Sequence, residues 1–85
     1  MSTKDKLIQK ICFGNTNNIK FHELQKFLEI LGFSLEHIKG DHYIFFHPNI
    51  EEIINIQPKK GMAKSYQVKQ VRMIYEKYKD LFENK

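Results

Sequence analysis

The hydrophobic pattern of the chain changes its period at Gly32, and this change constrains the fold more than any other feature. Gly32 suits the left-handed position that ends many helices, and Phe33 can fold back as the apolar contact of that cap. After Phe33 the pattern shifts towards a period of two, which indicates strands. Before Gly32, apolar residues recur at steps of three and four, as on one face of a helix: Phe21, Leu24, Phe27, Leu28 and Leu31.

Three strands are predicted after this point. Residues 33–39 and 42–47 flank Gly40-Asp41, a two-residue loop whose leading glycine suits a type II′ hairpin. The segment 51–57 is rich in β-branched residues and is closed by Pro58, after which a basic loop is expected. Short segments joined by tight turns predict an antiparallel three-stranded meander.

Helices are predicted on both sides of the meander, at about residues 4–12 before it and Ser65–Phe82 after it. The order is α-α-β-β-β-α, an α+β fold in which helices cover one face of the sheet. A chain of 85 residues has room for one hydrophobic core. Residues 1–85 are therefore predicted to form a single domain, with a helical extension over 1–14 and a core over 19–83.

The predicted turn also fixes a register, in which Lys39 lies opposite His42 and His37 opposite Ile44. We expect the more apolar sheet face to lie against the helices, with His42 at its rim. A facing ammonium disfavours a second positive charge and is expected to keep His42 neutral. The residues assigned to that face are Phe33, Leu35, His37, Lys39, His42, Ile44 and Phe46.

Composition narrows the partners and the compartment. A formal net charge of +4 favours an anionic partner. Cys12 is the single cysteine, which excludes an internal disulfide and a cysteine zinc site, and we expect it to be a small core residue. Charged residues interrupt the N-terminal segment, unlike a signal peptide, and no apolar run is long enough to span a bilayer. A cytoplasmic protein is predicted.

Four short segments follow one another in the chain: Phe21 to Leu31, Gly32-Phe33, Lys39-Gly40-Asp41-His42 and His47-Pro48. This ordered series resembles the HicA (YcfA-like) toxins of bacterial toxin–antitoxin modules. The resemblance covers about residues 20–80, and residues 57–72 resemble one branch of the family. Asp41 stands where the family's Gly-Ser-His turn has serine, and the third strand ends in Gln57-Pro58 without the Pro-x-His often seen there.

The resemblance implies a fold like that of the double-stranded-RNA-binding domain, α-β-β-β-α, here with an extra N-terminal helix. It also implies a ribosome-independent mRNA interferase that is neutralised by a HicB antitoxin. The essential histidine of such toxins is the one in the turn, which corresponds to His42.

Metal-independent RNA cleavage needs a base near the 2′-hydroxyl and cations around the phosphate. We hypothesise that neutral His42 takes the 2′ proton while Lys39, with Lys60 or Lys64, stabilises the developing charge, which gives a 2′,3′-cyclic phosphate. Tyr66 is expected to pack beneath the basic loop rather than to stack on a base. Further RNA contacts are predicted around the start of the last helix, at Lys59, Lys60, Lys64, Lys69 and Arg72.

The remaining histidines predict neither a metal site nor a cofactor. His47 faces away from His37 and His42 in the predicted register, and no carboxylate completes a ligand set. His37 and His47 are expected on the strand surface, His47 also supporting the turn that follows it, and His22 is expected in solvent.

Three functions are compatible with these features: a toxin that cleaves mRNA, a non-catalytic RNA-binding module on the same fold, and a protein-interaction domain with an acidic partner. Residues 43–46 are apolar on both faces of their strand, so the second face is expected to be covered. The N-terminal helix, a second copy of the chain or an antitoxin could cover it. An antitoxin is preferred, because members of the resembled family are held inactive by one.

Overall fold

A computed structural model describes residues 3–83, so residues 1, 2, 84 and 85 of the predicted domain lie outside the described residues. A three-stranded antiparallel sheet, a small two-stranded hairpin and helices form an α+β fold, consistent with the predicted arrangement of the double-stranded-RNA-binding domain. The elements are α1 Thr3–Phe13, α2 Phe21–Ile30, β1 Ser34–Lys39, β2 His42–His47, β3 Ile50–Ile56, β4 Pro58–Lys59, β5 Met62–Ala63, α3 Ser65–Lys77 and α4 Lys79–Glu83.

The change of period at Gly32 is a Schellman cap, as predicted. The N–H of Phe33 donates to the carbonyl of Leu28 and the N–H of Gly32 to that of Glu29, each over 3.0 Å. Gly32 takes a φ of +103°, which favours glycine, and Phe33 is buried directly after it. This cap ends α2 and delivers the chain into β1.

The strands are ordered β1-β2-β3, and the predicted hairpin register is confirmed. Lys39 pairs with His42 and His37 with Ile44. Gly40 has a φ of +61° at the first position of the turn, as a type II′ hairpin requires.

The predicted choice of the buried sheet face is wrong. Phe45 is fully buried against the helices, whereas Phe46 is 37% exposed, so His42 lies on the uncovered face. A β-bulge explains the error, because β1 advances two residues from His37 to Leu35 while β2 advances one. Leu35 therefore shares the buried face with Phe45 and not with His37.

The predicted basic loop after Pro58 is a second hairpin, formed by β4 and β5. Lys60 and Gly61 connect the strands with φ values of +52° and +79°, as in a type I′ turn. The N–H of Ala63 donates to the carbonyl of Ile19 over 2.8 Å, and that of Phe21 to the carbonyl of Gly61 over 3.0 Å. These bonds fasten the basic hairpin to the entry of α2.

The C-terminal helical segment follows the prediction apart from a break at Tyr78, which separates α3 from α4. α1 packs on α2 and α3, and the Arg72 guanidinium donates to the carbonyls of Ile11 and Gly14 at the end of α1. The largest side chains that are completely or almost completely buried are Phe27, Phe45, Ile11, Ile19, Leu24, Leu28, Ile54, Ile56, Gln67, Val68 and Val71.

Cys12 packs against this core, as predicted, and burial raises the pKa of its thiol to about 11 although the Arg72 guanidinium acts in the opposite direction. Within residues 3–83, every helix is too short or too polar to cross a lipid bilayer.

Candidate active site around His42

His42 begins β2 on the outer face of the sheet, the face that the helices leave uncovered. Lys39 lies opposite it on β1. Gln57 directly follows β3, and continuing the β2–β3 register places it opposite His42 on the other side. Ile44 and Asn55 pair in the next row of the same face. His42 is thus the centre of a row of three polar residues, with Asn55 diagonal to it.

A chain of hydrogen bonds connects His42 to Lys64, the residue that precedes α3. The Lys64 ammonium donates to Gln57 Oε1 over 2.9 Å, and the Gln57 amide nitrogen lies 3.3 Å from His42 Nε2. The other ring nitrogen, Nδ1, lies 3.1 Å from Asn55 Oδ1. A lysine on the helix side is thereby linked to an imidazole on the outer sheet face.

The arrangement leaves His42 as an exposed imidazole whose ring nitrogens have different partners. The amide nitrogen of Gln57 can only donate and the amide oxygen of Asn55 can only accept. These partners suit a ring whose Nε2 accepts from Gln57 and whose Nδ1 donates to Asn55. A neutral imidazole with an accessible lone pair can act as a general base.

Two of the lysines predicted from the sequence, Lys59 and Lys64, lie in a groove next to the basic hairpin. The groove has a volume of about 640 Å³ and is also lined by Asn17, Asp41 and Tyr66. Tyr66 is 59% exposed, so the expectation that it packs beneath the loop is wrong. Gln57, the partner of His42, also lines this groove, and an aromatic ring with two cations suits a nucleotide.

Lys60 and the remaining predicted RNA contacts lie elsewhere. Lys60 is at the exposed tip of the basic hairpin. Lys69 and Arg72 line a second groove, with Ile53 and Met73, and the Arg72 guanidinium is already bonded to α1. RNA contact through these three residues stays a prediction.

His47 occupies the opposite end of β2 and the opposite face. It is 8% exposed, so the expectation of a surface residue is wrong. Its Nε2–H donates to the carbonyl of Leu31 over 3.1 Å, and its Nδ1 accepts the N–H of Asn49 over 3.0 Å. The second bond supports the turn after β2, as predicted. His22 and His37 are exposed, also as predicted.

Sequence reasoning missed Asn55 and Gln57 as neighbours of His42. Between the pairs Phe45–Ile54 and His47–Ile50, β2 advances two residues while β3 advances four. A regular register after the second turn would place Asn55 opposite His42, and the irregularity places Gln57 there instead. The polar ending of β3 was the available signal, because amides in a β-branched strand are unusual.

The outer sheet face carries no helix in the part of the chain that is described. Ile53 is 52% exposed on β3, and α1 packs on the other helices. Among residues 3–83, no three histidine, cysteine or acidic side chains converge as they would around a metal ion.

Comparison with protein families matches residues 21–80 to the family described as the HicA toxin of bacterial toxin–antitoxin systems. Neither the curated proteins nor the solved structures contain a significant match to this chain.

Proposed function

Because this chain belongs to the HicA toxin family of bacterial toxin–antitoxin modules, we propose that it is a metal-independent mRNA endonuclease whose general base is His42. The observation that carries the proposal is the exposed imidazole of His42, whose partner Gln57 lines a groove together with Lys59 and Lys64. The proposed site is at the surface, so a long RNA can reach it without entering a closed cavity.

In the proposed reaction, His42 Nε2 takes the proton of a ribose 2′-hydroxyl. The 2′-oxygen attacks the adjacent phosphorus, and the bond to the 5′-oxygen breaks. The leaving oxygen takes a proton from solvent, which gives a 2′,3′-cyclic phosphate and a 5′-hydroxyl end. The ammonium groups of Lys39 and Lys64 stabilise the charge that develops on the phosphate.

The experiment is incubation of the purified protein with a long single-stranded RNA in EDTA, alongside His42→Ala. We expect the parent to cut and the folded variant to be slower by about a thousandfold, within the range for removal of a general base. Mass spectrometry should find 2′,3′-cyclic phosphate ends. Cleavage that EDTA abolishes, or that leaves only 5′-phosphate ends, would contradict the proposal.

A non-catalytic RNA-binding module is the second candidate, and Asp41 favours it. Asp41 lines the same groove as Lys59 and Lys64, where its negative charge opposes the approach of a phosphate. Salt-dependent RNA binding without cleavage by the parent would support this alternative. Recovery of cleavage in Asp41→Ser would identify the carboxylate as its cause.

Membership of the family implies an antitoxin partner, and we propose a HicB-type protein that acts with the toxin in the cytoplasm. The uncovered sheet face supplies apolar area for such a partner, because Phe46 is exposed on the same strand as His42. Addition of the antitoxin is expected to stop cleavage with a stoichiometric end point. Dimers of the toxin alone, with Phe46 protected, would instead indicate self-association.

A further inference from the structure

The bonds around His42 form a directional chain whose direction follows from the chemistry of its ends. Lys64 can only donate, so the oxygen of the Gln57 amide faces Lys64 and its NH₂ group faces His42. An NH₂ group can only donate, so Nε2 of the imidazole accepts. A neutral ring then carries its hydrogen on Nδ1, and this N–H donates a hydrogen bond to Asn55 Oδ1.

We propose that Gln57 and Asn55 are positioning residues that hold His42 as the Nδ1–H tautomer and leave the Nε2 lone pair for the substrate. This inference rests on the proposed function. The 2′-hydroxyl would take the place of the Gln57 amide, since both are donors to the same nitrogen. The Gln57 contact is exposed and 3.3 Å long, which suits a bond that substrate displaces.

Displacement also changes the partner of Lys64. Its ammonium is held by Gln57 Oε1 in the free protein. When Gln57 moves away, the ammonium loses this acceptor and is available to a phosphate oxygen. The same event therefore exposes the base and releases a cation beside it.

Two amide-to-carboxylate substitutions of equal size test the chain. A carboxylate can only accept, so Asn55→Asp preserves the acceptor for Nδ1–H, whereas Gln57→Glu replaces the donor to Nε2 with an acceptor. Both add one negative charge near His42, so general repulsion of RNA is matched between them. They differ in the tautomer that they favour and in one further respect, because Gln57→Glu also offers a carboxylate to the Lys64 ammonium. The spectra that report the tautomer are therefore the deciding measurement.

The tautomer is read directly from two-bond proton–nitrogen correlation spectra of ¹⁵N-labelled protein at pH 8, with His42→Ala used to assign the signals. We expect His42 to be Nδ1–H in the parent and in Asn55→Asp, and Nε2–H in Gln57→Glu. His47 is an internal reference, because its two backbone partners fix it as Nε2–H in all three proteins. An Nε2–H signal for His42 in the parent, or an unchanged tautomer in Gln57→Glu, would overturn the inference.

Cleavage rates of the same proteins separate this inference from the proposed function. We expect both substitutions to slow cleavage, and Gln57→Glu to lose at least about tenfold more than Asn55→Asp. If the spectra agree but the parent does not cut RNA, the positioning chain stands and the proposed function fails. If His42-dependent cleavage is found while Gln57→Glu cuts as fast as Asn55→Asp, the proposed function stands and the positioning role fails.

Discussion

The two ends of β2 carry the same residue type in opposite circumstances. His42 is exposed on the outer sheet face, and its ring nitrogens contact the side-chain amides of Asn55 and Gln57. His47 is buried on the inner face, and its partners are the backbone groups of Leu31 and Asn49. Their separation by five positions places them on opposite faces of one strand.

The difference indicates that the hydrogen-bond partners of a histidine determine whether it serves the fold or can bind a substrate. Backbone groups cannot rotate away from the ring as a side chain can. His47 is therefore fixed as an Nε2–H ring that connects the end of α2 to the turn after β2. Its ring also packs edge-on against Phe33 and Phe82, at centroid distances of 5.0 and 5.9 Å. Side-chain amides can rotate away, so His42 can exchange a partner for a substrate.

The largest effect on stability is expected from Gly32→Ala. A Cβ atom at Gly32 would lie 2.8 Å from His47 Nε2, and the φ of +103° is unfavourable for alanine. We expect unfolding free energy to fall by about 3 kcal/mol through strain and displacement of the ring. Urea titration followed by circular dichroism measures it. Stability equal to that of the parent would show that His47 is loosely held.

The next largest effect is expected from His47→Ala, with a loss of about 2 kcal/mol from its two hydrogen bonds and its buried contacts. Because Gly32 and His47 are in contact, the two losses should not add. The double variant should be less destabilised than the sum of the single variants. Full additivity would mean that the ring and the glycine act independently.

The smallest effect is expected from Lys64→Ala, which tests the His42 end of β2. Lys69→Ala is the matched control. We expect Lys64→Ala to reduce the cleavage rate of bound RNA about tenfold, which corresponds to about 1.4 kcal/mol in the barrier. Lys69 lines the other groove, so its loss should weaken RNA binding without slowing the bound complex. Single-turnover rates at saturating protein distinguish the two. Equal single-turnover rates would place Lys64 outside the reaction.

The hairpin and the Gly32 cap could be predicted from the sequence because their signals are local. Gly40 and Gly32 each mark a backbone conformation that other residues rarely adopt, and the register of Lys39 with His42 follows from the turn alone. His42 could also be identified from the sequence as the candidate base, because its turn resembles a known motif.

The orientation of the sheet and the surroundings of the base could not be predicted, because two irregularities in strand pairing intervene. The bulge in β1 moves Leu35 to the buried face, so counting apolar residues with a strict period of two selected the wrong side. The irregularity between β2 and β3 brings Gln57 opposite His42. No single residue of β1 marks its bulge, and the only signal in the third strand is its polar ending at Asn55 and Gln57.

The most direct test of this division of roles measures RNA cleavage in EDTA and thermal unfolding for both His42→Ala and His47→Ala. Cleavage is assayed at a temperature where both variants remain folded. We predict that His42→Ala has the same unfolding temperature as the parent but cleaves RNA about a thousandfold more slowly. His47→Ala should have a lower unfolding temperature and still cleave at nearly the parent rate. A folded His47→Ala that has lost cleavage, or a His42→Ala that cuts as the parent does, would contradict the division of roles between the two histidines.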